Sequence, residues 1–563
     1  MSMNEELERA KLLRERRRSE KQAAAVADGT QSAAPTVAPK LTYEDILKRN
    51  PTERLKNEKH PLDVLQDLPA LMAMPYEDIP EDDILRLQWY GLYHDKPKIG
   101  SFMLRVKIPN GILSPTKLRE IGQISIDHGQ NSGELTTRQD VQIHFIRLEV
   151  LPDIMGRLEK IGLTTVGGCG DNLRNITGCP AAGVDAGEYF DPTGVVMDVA
   201  RLFYGNREYS NLPRKHKFSI SACPHHCNAP EIHDVGLVGM LHEGREGFAV
   251  WVGGGLSTVP RMYQPFRAFV PKEQTVEVLK AIVDEWKSDM RYRLSRAKAR
   301  FKFMVDDDGA AAVRERIEQR LGWKLEDLQE EPKPIGRTEH MGINAQKQPG
   351  LFYIGFPVMP GLISGQQLVQ IADLLDEYGS DFRITREQNL ILTGIPEENV
   401  DVVISRMGDI GINLNVNPIR GKSIACTGNP QCNFAVGPTK PMVLELVEHL
   451  EAKFGDKVAN LHLHLDGCPH ACGQHHVGDI GFQGTTIRTD DGKAPGYDIF
   501  LRGGLGPYAG IGKPILRRIS IEDTKLYTER LVRAYVEECA GQPMQEFLAL
   551  HTDAELLAIA QGA

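Results

Sequence analysis

Two short cysteine-containing stretches, separated by nearly half the chain, decide the fold. Residues 223–227 read Cys-Pro-His-His-Cys and are followed, after six further residues, by Asp-Val-Gly at 234–236. Residues 468–472 read Cys-Pro-His-Ala-Cys and are followed at the same spacing by Asp-Ile-Gly at 479–481. The second stretch begins 245 residues after the first. A match in both spacing and residue type indicates an internal repeat, which constrains the architecture before any single element is assigned.

Three more pairs of matching segments occur in the same order along the chain. They are Gly-Ile-Leu-Ser at 111–114 and Gly-Leu-Ile-Ser at 361–364, Thr137-Arg138 and Thr385-Arg386, and Gly-Gly-Leu at 254–256 and 503–505. In each half an alternating strand (102–108 and 351–358) precedes an amphipathic helix (116–128 and 365–378). A second strand is predicted to carry the Thr-Arg pair. Each half is therefore predicted to be a β-α-β unit followed by a larger α/β unit.

Composition and charge exclude several classes of protein. The chain has 563 residues, 41% hydrophobic and 25% charged, and a net charge of −10, which argues against nucleic-acid binding. Because its longest apolar runs fall short of about 20 residues, no membrane span is expected. Charged residues occupy the start of the chain, where a secretory signal would be apolar. We therefore predict a cytoplasmic protein that uses neither a membrane nor a nucleic acid as partner.

Four of the nine cysteines form a set suited to an iron–sulfur cluster. They are Cys426, Cys432, Cys468 and Cys472, on two loops rich in glycine and proline. Four thiolates are the usual ligands of a [4Fe–4S] cluster. A four-cysteine zinc site is the alternative, but these spacings fit a zinc knuckle poorly.

The first half keeps the Cys223/Cys227 pair but lacks the matching partners. Ile176 and Ala182 stand where the repeat would place Cys426 and Cys432. Two other cysteines of the first half, Cys169 and Cys179, would complete a quartet there only with a different geometry. The sequence therefore predicts a single cluster, in the second half.

The chain resembles ferredoxin-dependent nitrite reductases and their sulfite reductase relatives over roughly residues 85–510. The shared motifs are the stretch 86–93 (Arg-Leu-Gln-Trp-Tyr-Gly-Leu-Tyr), Thr-Thr-Arg-Gln at 136–139, Asp-Asn-Leu-Arg-Asn at 171–175, Leu-Pro-Arg-Lys at 212–215, the 426–432 segment, and Gly-Cys-Pro-His-Ala-Cys-Gly-Gln at 467–474. The resemblance implies an α+β, internally duplicated nitrite/sulfite reductase fold with pseudo-two-fold symmetry. In this fold, two ferredoxin-like β-α-β units are each followed by a larger α/β unit that binds siroheme or the cluster.

Composition, the internal repeat and the resemblance together predict five parts of the chain. They are a flexible charged tail (1–40), an N-terminal extension with the first ferredoxin-like half-domain (41–160), the first siroheme-binding α/β domain (161–335), the second ferredoxin-like half-domain (336–415), and the second α/β domain with the cluster and the siroheme axial ligand (416–563). Within the tail, Arg16-Arg17-Arg18 is either a docking site for an acidic partner or a solvated charge run.

Siroheme beside the cluster is the implied second cofactor, with Cys472 as the thiolate shared between the two centres. The family motifs place Arg138, Arg174, Lys215 and Lys217 on the distal face, where they would bind the substrate oxyanion. Arg138, Arg174 and Lys215 would also contact the siroheme carboxylates. A basic run from Arg291 to Lys302, within a predicted helical region at 275–321, is either a further siroheme-binding face or a solvated helix face.

Some motifs indicate nitrite as the substrate and others indicate sulfite. The 86–93 stretch and Thr385-Arg-Glu-Gln-Asn389 resemble the nitrite branch, whereas Lys215-His-Lys217 matches the Lys-x-Lys of sulfite reductases instead of the Lys-x-Asn of nitrite reductases. Cys169 resembles a sulfite-type cysteine that some relatives cross-link to a tyrosine, here Tyr93. We expect nitrite reduction to ammonia with electrons from ferredoxin or a similar carrier, with sulfite reduction as the alternative, in a monomeric enzyme.

Two other hypotheses compete with a siroheme reductase. One is an enzyme of the same fold that resembles precorrin-3B synthase, against which the full duplication and the complete cationic set argue. The other is a non-enzymatic iron–sulfur or zinc protein that senses redox state.

Overall fold

The computed structural model describes residues 41–336, 338–429, 431–490 and 492–563. The predicted tail at 1–40, with its Arg16–Arg18 run, lies outside the described residues. The described chain begins with a helical region. Its helices are Tyr43–Arg49, Pro51–Glu58, Val64–Met72 and Glu81–Leu87.

The two ferredoxin-like units are interlocked. The first sheet has four antiparallel strands in the order Leu92–His94, Phe102–Val106, Val141–Ile146, Glu134–Leu135. The second sheet has the order Gly342–Ala345, Leu351–Phe356, Leu390–Pro396, Phe382–Ile384, Ile112–Leu113. The last of these strands comes from the first half of the sequence, and its Leu113 pairs with Phe382. The second sheet is therefore completed by a strand from the first half of the described chain.

The helices of these units pack against each other and share one apolar core with both sheets. They are Pro115–His128 and Leu151–Lys160 in the first unit and Gly365–Tyr378 and Val400–Asp409 in the second. The two longest, Pro115–His128 and Gly365–Tyr378, approach each other at Gly122 and Gly365. A Cβ at either glycine would lie within 2.7 Å of the other's carbonyl oxygen, so the close packing requires glycine at both positions.

The two larger units are built on five-stranded mixed sheets. The first has the order Glu326–Asp327, Gln264–Pro271, Arg245–Val252, Val235–His242, Phe218–Ser221, and the second has the order Ile424–Ala425, Leu463–Asp466, Ile480–Thr489, Gly492–Leu501, Lys513–Ser520. Helices cover each sheet: Thr193–Phe203, Thr275–Ser288, Phe301–Asp308 and Ala310–Leu321 in the first unit, and Ile419–Lys422, Lys440–Phe454, Ile521–Cys539, Met544–Leu550 and Asp553–Gln561 in the second. In both, a parallel strand pair leads into an antiparallel hairpin. The duplicated α+β fold is confirmed, while the five domain boundaries stay predictions.

The region 275–321, predicted to be helical, forms the helices Thr275–Ser288, Phe301–Asp308 and Ala310–Leu321, and short 3₁₀ turns at Met290–Arg293 and Arg296–Lys298 interrupt it. The Asp289 carboxylate accepts the Arg291 N–H and so starts the first of these turns. The chain then returns, and the indole N–H of Trp286 donates to the Ala299 carbonyl over 3.1 Å.

The prediction that a second strand carries each Thr-Arg pair was wrong. Both occupy turns between strands, and each turn contains a glutamine with positive φ, Gln139 at 54° and Gln388 at 66°. No helix in the described part of the chain has the length and apolar character needed to cross a bilayer.

Candidate functional site

The four predicted cluster cysteines lie at one edge of the second α/β sheet. Cys426 directly follows the strand Ile424–Ala425, and Cys468 and Cys472 lie in the loop after Leu463–Asp466. These two strands are parallel neighbours, with Ala425 paired to Leu465, so their carboxyl ends meet at the same edge. Because both strands end at this edge, cysteines that are about 40 residues apart in the sequence lie close together in the fold.

The loop after residue 466 is fixed by one buried carboxylate. Asp466 accepts the Gly473 N–H at 2.6 Å and the His475 N–H at 3.0 Å, and it contacts the His475 ring at 2.8 Å. The Gly467 N–H donates to the Cys426 sulfur over 3.2 Å, which links this loop to the other cysteine loop. Amide hydrogen bonds to thiolate sulfur are typical of iron–sulfur sites, where they adjust the redox potential.

The spacing of the four sulfurs suits a body larger than one metal ion. Three or more ligands of one ion would lie close together, yet no three of these sulfurs, all in described residues, approach within 4.8 Å of one another. Cys472 is exposed, whereas the other three thiols are half-buried. The arrangement therefore fits a four-iron cluster with one thiolate reaching beyond it, and it does not fit a four-cysteine zinc site.

An open cleft lies beside Cys426 and Cys472, and its lining contains all four predicted cationic residues. Besides the two cysteines its lining includes Arg105, Arg138, Arg174, Lys215, Lys217 and Arg300. The cations come from the first half of the chain and the cysteines from the second. The Thr137 hydroxyl donates to the Cys472 carbonyl over 2.9 Å and so joins the Thr-Arg turn of the first half to the cysteine loop of the second.

These cations repel one another and lie largely out of water. Burial, followed by the charges of Arg214 and Arg174, lowers the pKa of Lys215 to about 7. Burial, followed by Arg138 and Lys215, lowers the pKa of Lys217. The Nε of Arg174 is buried and has no hydrogen-bond partner among the described residues. A bound polyanion would compensate these charges, so the cleft fits siroheme, which carries eight carboxylates.

Arg105 is a cleft residue that sequence reasoning missed. It lies in the apolar strand Phe102–Val106, and its Nη1 donates to the Gly168 carbonyl at 3.1 Å and contacts the Cys169 sulfur at 3.5 Å. A charged residue within an otherwise apolar strand was the available signal, because burial of a charge needs a specific reason.

The predicted Tyr93–Cys169 cross-link stays a prediction. Burial, followed by Cys169, raises the pKa of Tyr93.

The basic run 291–302 does not form one solvated helix face, and its predicted contact with siroheme stays a prediction. Among the six basic residues, all of which the structure describes, Arg300 lines the cleft, and it forms hydrogen bonds of 3.0 and 2.7 Å with Asp234. Arg291 pairs with Asp289 and Asp308. The remaining four are divided between buried and exposed positions: Arg293 pairs with Glu53, Lys302 donates to backbone carbonyls, and Arg296 and Lys298 are exposed.

A buried histidine connects the first ferredoxin-like sheet to the Cys426 loop. His144 Nδ1 lies 2.7 Å from Asp95, and its Nε2 lies 3.6 Å from Glu134. Glu134 in turn accepts the Thr427 hydroxyl, beside Cys426, at 2.7 Å. Burial alone would lower the pKa of His144, but the hydrogen bond to Asp95 and the negative charges of Asp95 and Glu134 outweigh it and raise the pKa to about 9.

We predict that this histidine makes stability depend on pH. Because the folded pKa exceeds the unfolded value, the stabilisation is complete below about pH 6.5 and is lost as pH rises through about 9, in total about 3 kcal/mol. The melting temperatures of wild type and His144→Gln, measured from pH 6 to pH 10, should differ most at pH 6 and converge at high pH. Parallel curves would show that the His144 charge contributes nothing.

Comparison with known proteins places the chain in one family. The family described as "Nitrite and sulphite reductase 4Fe-4S domain" matches residues 169–325, and "Nitrite/Sulfite reductase ferredoxin-like half domain" matches residues 94–161 and 344–410. The "Sulfite reductase [ferredoxin] 1" of Mycolicibacterium paratuberculosis is 34% identical over 87% of this chain and 92% of its own length. The "Ferredoxin--nitrite reductase" of Synechococcus elongatus is 34% identical over 84% of this chain and 94% of its own.

A solved structure agrees with these relatives. The Mycobacterium tuberculosis NirA protein superposes with a TM-score of 0.85 at 32% identity, over 90% of this chain and 97% of that one. The chain therefore belongs to the ferredoxin-dependent nitrite and sulfite reductase family, and the predicted enzyme class and the predicted cofactors, siroheme and a [4Fe–4S] cluster, are confirmed.

Proposed function

We propose that this protein reduces nitrite to ammonia with six electrons from reduced ferredoxin. The reaction consumes nitrite, six electrons and eight protons and releases ammonium and two waters. The proposal rests on one observation. Cys472 is exposed in a cleft lined by cations and lies beside the other three cysteines predicted to bind the [4Fe–4S] cluster. Such a site combines a route for electrons with a binding place for a small anion.

We assign the cofactors to this edge of the second α/β sheet. Cys426, Cys432, Cys468 and Cys472 would hold the cluster, and Cys472, the one exposed residue among the four, would also ligate the siroheme iron. When bound, the two cofactors supply the electrons and the iron at which the N–O bonds are cleaved.

The side chains of the cleft would bind, orient and protonate the substrate. Arg138 has one nitrogen 2.9 Å from His233 Nε2 and another donating to the Asn175 carbonyl, so its guanidinium is held in place. Guanidinium groups offer paired donors to the two oxygens of a planar anion. Lys215, whose pKa is about 7, is suited to give up a proton at neutral pH as substrate oxygen leaves as water.

Sulfite reduction is the second candidate, and a specific residue favours it. Lys217 lines the cleft where nitrite-type members have asparagine, and the additional cation suits the more highly charged sulfite. Relatives of each kind are equally similar to this chain, at 34% identity. Steady-state assays with reduced methyl viologen decide the question. A kcat/KM for sulfite equal to or above that for nitrite would replace our first candidate with the second.

We predict that Lys217→Asn separates the two substrates. Loss of one charged contact should lower kcat/KM for sulfite by about 10- to 100-fold. The value for nitrite should change less than about threefold, since asparagine is typical of nitrite-type members. The matched variant Lys215→Asn should impair both reactions, because this lysine is common to the two motifs. Equal losses for both substrates in Lys217→Asn would contradict a role in selectivity.

The remaining partner assignments are also proposals. We propose ferredoxin as the direct donor, a monomeric chain and a cytoplasmic location. The predicted absence of nucleic-acid and membrane partners stays a prediction.

A further inference from the structure

A second group of metal-binding side chains lies in the first half of the chain, apart from the residues that line the cofactor cleft. It consists of Cys179, Cys223, Cys227 and His340, which are at most 3% exposed. Several of the ligand atoms converge: the sulfurs of Cys179 and Cys227 and a ring nitrogen of His340 all lie within 4.8 Å of one another. The Cys223 sulfur lies beside them: it converges to the same distance with the Cys179 sulfur and a carboxylate oxygen of Asp185. We name this group the Cys₃His cluster.

The Cys179–His340 distance matches that expected between two ligands of a single tetrahedral ion. Cys179 Sγ lies 3.6 Å from His340 Nε2. Sulfur at about 2.3 Å and nitrogen at about 2.0–2.1 Å from one tetrahedral zinc would be separated by about 3.6 Å. The sulfurs around the cleft differ, because no three of them, all described, converge to 4.8 Å. The Cys₃His cluster therefore has the dimensions of a single-ion site. The four cysteines of the second half have the wider spacing of an iron–sulfur cluster site.

His340 is oriented for ligation by a residue behind it. Its Nδ1 lies 3.3 Å from the Tyr353 hydroxyl, and its Nε2 is directed to the thiols. A hydrogen bond on one ring nitrogen fixes the ring and leaves the other nitrogen to bind metal. The backbone of His340 lies directly on the strand Leu351–Phe356, because a Cβ at Gly355 would come within 1.8 Å of the His340 carbonyl oxygen.

The internal repeat explains where the thiols lie. Thr177 forms a parallel bridge with Ser219, and Cys179 and Cys223 follow these two segments just as Cys426 and Cys468 follow their parallel strands. Cys179, however, stands three residues beyond the position that the repeat assigns to the first cluster ligand, which is Ile176. The site therefore differs in geometry from the cluster site of the second half. Its fourth ligand is the imidazole of His340, from the segment between the halves.

We propose that the Cys₃His cluster binds one structural zinc ion. Three thiolates and one imidazole form one of the standard closed zinc sites, and soft sulfur ligands in a tetrahedron favour zinc. The ion would join three parts of the chain, because the thiols belong to the first α/β unit, His340 to the segment between the halves, and Tyr353 and Ile391, packed against the thiols, to the second ferredoxin-like sheet. Its role would be to hold the two halves together.

The test measures metal in anaerobically purified full-length holoenzyme. Elemental analysis should find zinc equimolar with the chain, in addition to cofactor iron. X-ray absorption at the zinc edge, to which the iron cofactors do not contribute, should show three sulfurs at about 2.3 Å and one nitrogen at about 2.0 Å. This measurement uses the wild type and does not depend on any variant folding.

Variants then assign the site to these residues. Cys179→Ser and Cys227→Ser should lower the zinc content by about tenfold or more and lower the melting temperature, while the siroheme and cluster absorption remains. The matched control Cys539→Ser, at the end of the helix Ile521–Cys539, should keep the zinc.

Three results would overturn the proposal. One is extra iron and acid-labile sulfide that disappear in Cys227→Ser, which would mean a second cluster. Another is a zinc-free protein in which thiol titration finds the three cysteines reduced or paired as a disulfide. The third is zinc surrounded only by oxygen and nitrogen, which would be adventitious. None of these results affects the proposed reaction in the cleft.

Discussion

Cys472→Ser should abolish both nitrite and sulfite reduction, by at least about a thousandfold, and alter the siroheme and cluster spectra together. The reason is geometric. Cys472 is the exposed thiol of the four-cysteine set and lines the cationic cleft, so its sulfur is placed to contact both cofactors. A serine hydroxyl is a poor substitute, because the metal ligand is the thiolate and an alcohol stays protonated at neutral pH.

Absorption and electron paramagnetic resonance spectra of the variant, recorded beside steady-state rates, check this result. Cys539→Ser is the control for general effects of losing a thiol, because Cys539 does not line the cleft, and it should retain activity and spectra. A Cys472→Ser enzyme with a normal siroheme spectrum and substantial activity would show that another group links the two centres. The assignment of all four cluster ligands would then have to be revised.

Arg174→Ala should lower kcat/KM for the preferred substrate by about 100- to 1000-fold. The two Nη atoms of Arg174 donate to the carbonyls of Gly168 and Gly170 at 2.8 and 2.9 Å, which leaves the buried Nε without a described partner at the cleft wall. The guanidinium is therefore held in a fixed position, ready for an anion. Arg174→Lys should restore little, because one ammonium cannot reach two carbonyls and the cleft at once.

Steady-state kinetics should be measured together with the siroheme content, since Arg174 also orders the loop that contains Gly168 and Gly170. The control is Arg207→Ala, which removes an exposed arginine paired with Asp63 and should change the rate by less than about threefold. If Arg174→Ala loses activity only in proportion to lost siroheme, the residue holds the cofactor and does not act on the substrate.

Much of the fold could be predicted from the sequence, because the matching segments and the hydrophobic periodicity occur in both halves of the chain. The matching segments predicted two similar halves, and hydrophobic periodicity placed the helix Gly365–Tyr378 with its observed bounds. The interruptions of the helical region 275–321 were not visible in its apolar spacing, because polar contacts of the Asp289 and Trp286 side chains redirect the chain there. Periodicity reports which residues face a core but not where local hydrogen bonds turn the backbone.

The sequence by itself determined the family of this protein, its duplication, its cofactors and the residue types of its cleft, because each is carried by short motifs in a fixed order. The tertiary structure alone brought Arg105 to the same cleft and His340 to Cys179, which lies 161 residues before it. The pairing of the strand Ile112–Leu113 with the sheet of the second half was likewise visible only in the fold. The physical reason is that convergence of side chains depends on which strand ends become neighbours, and sequence spacing within a single segment does not specify that.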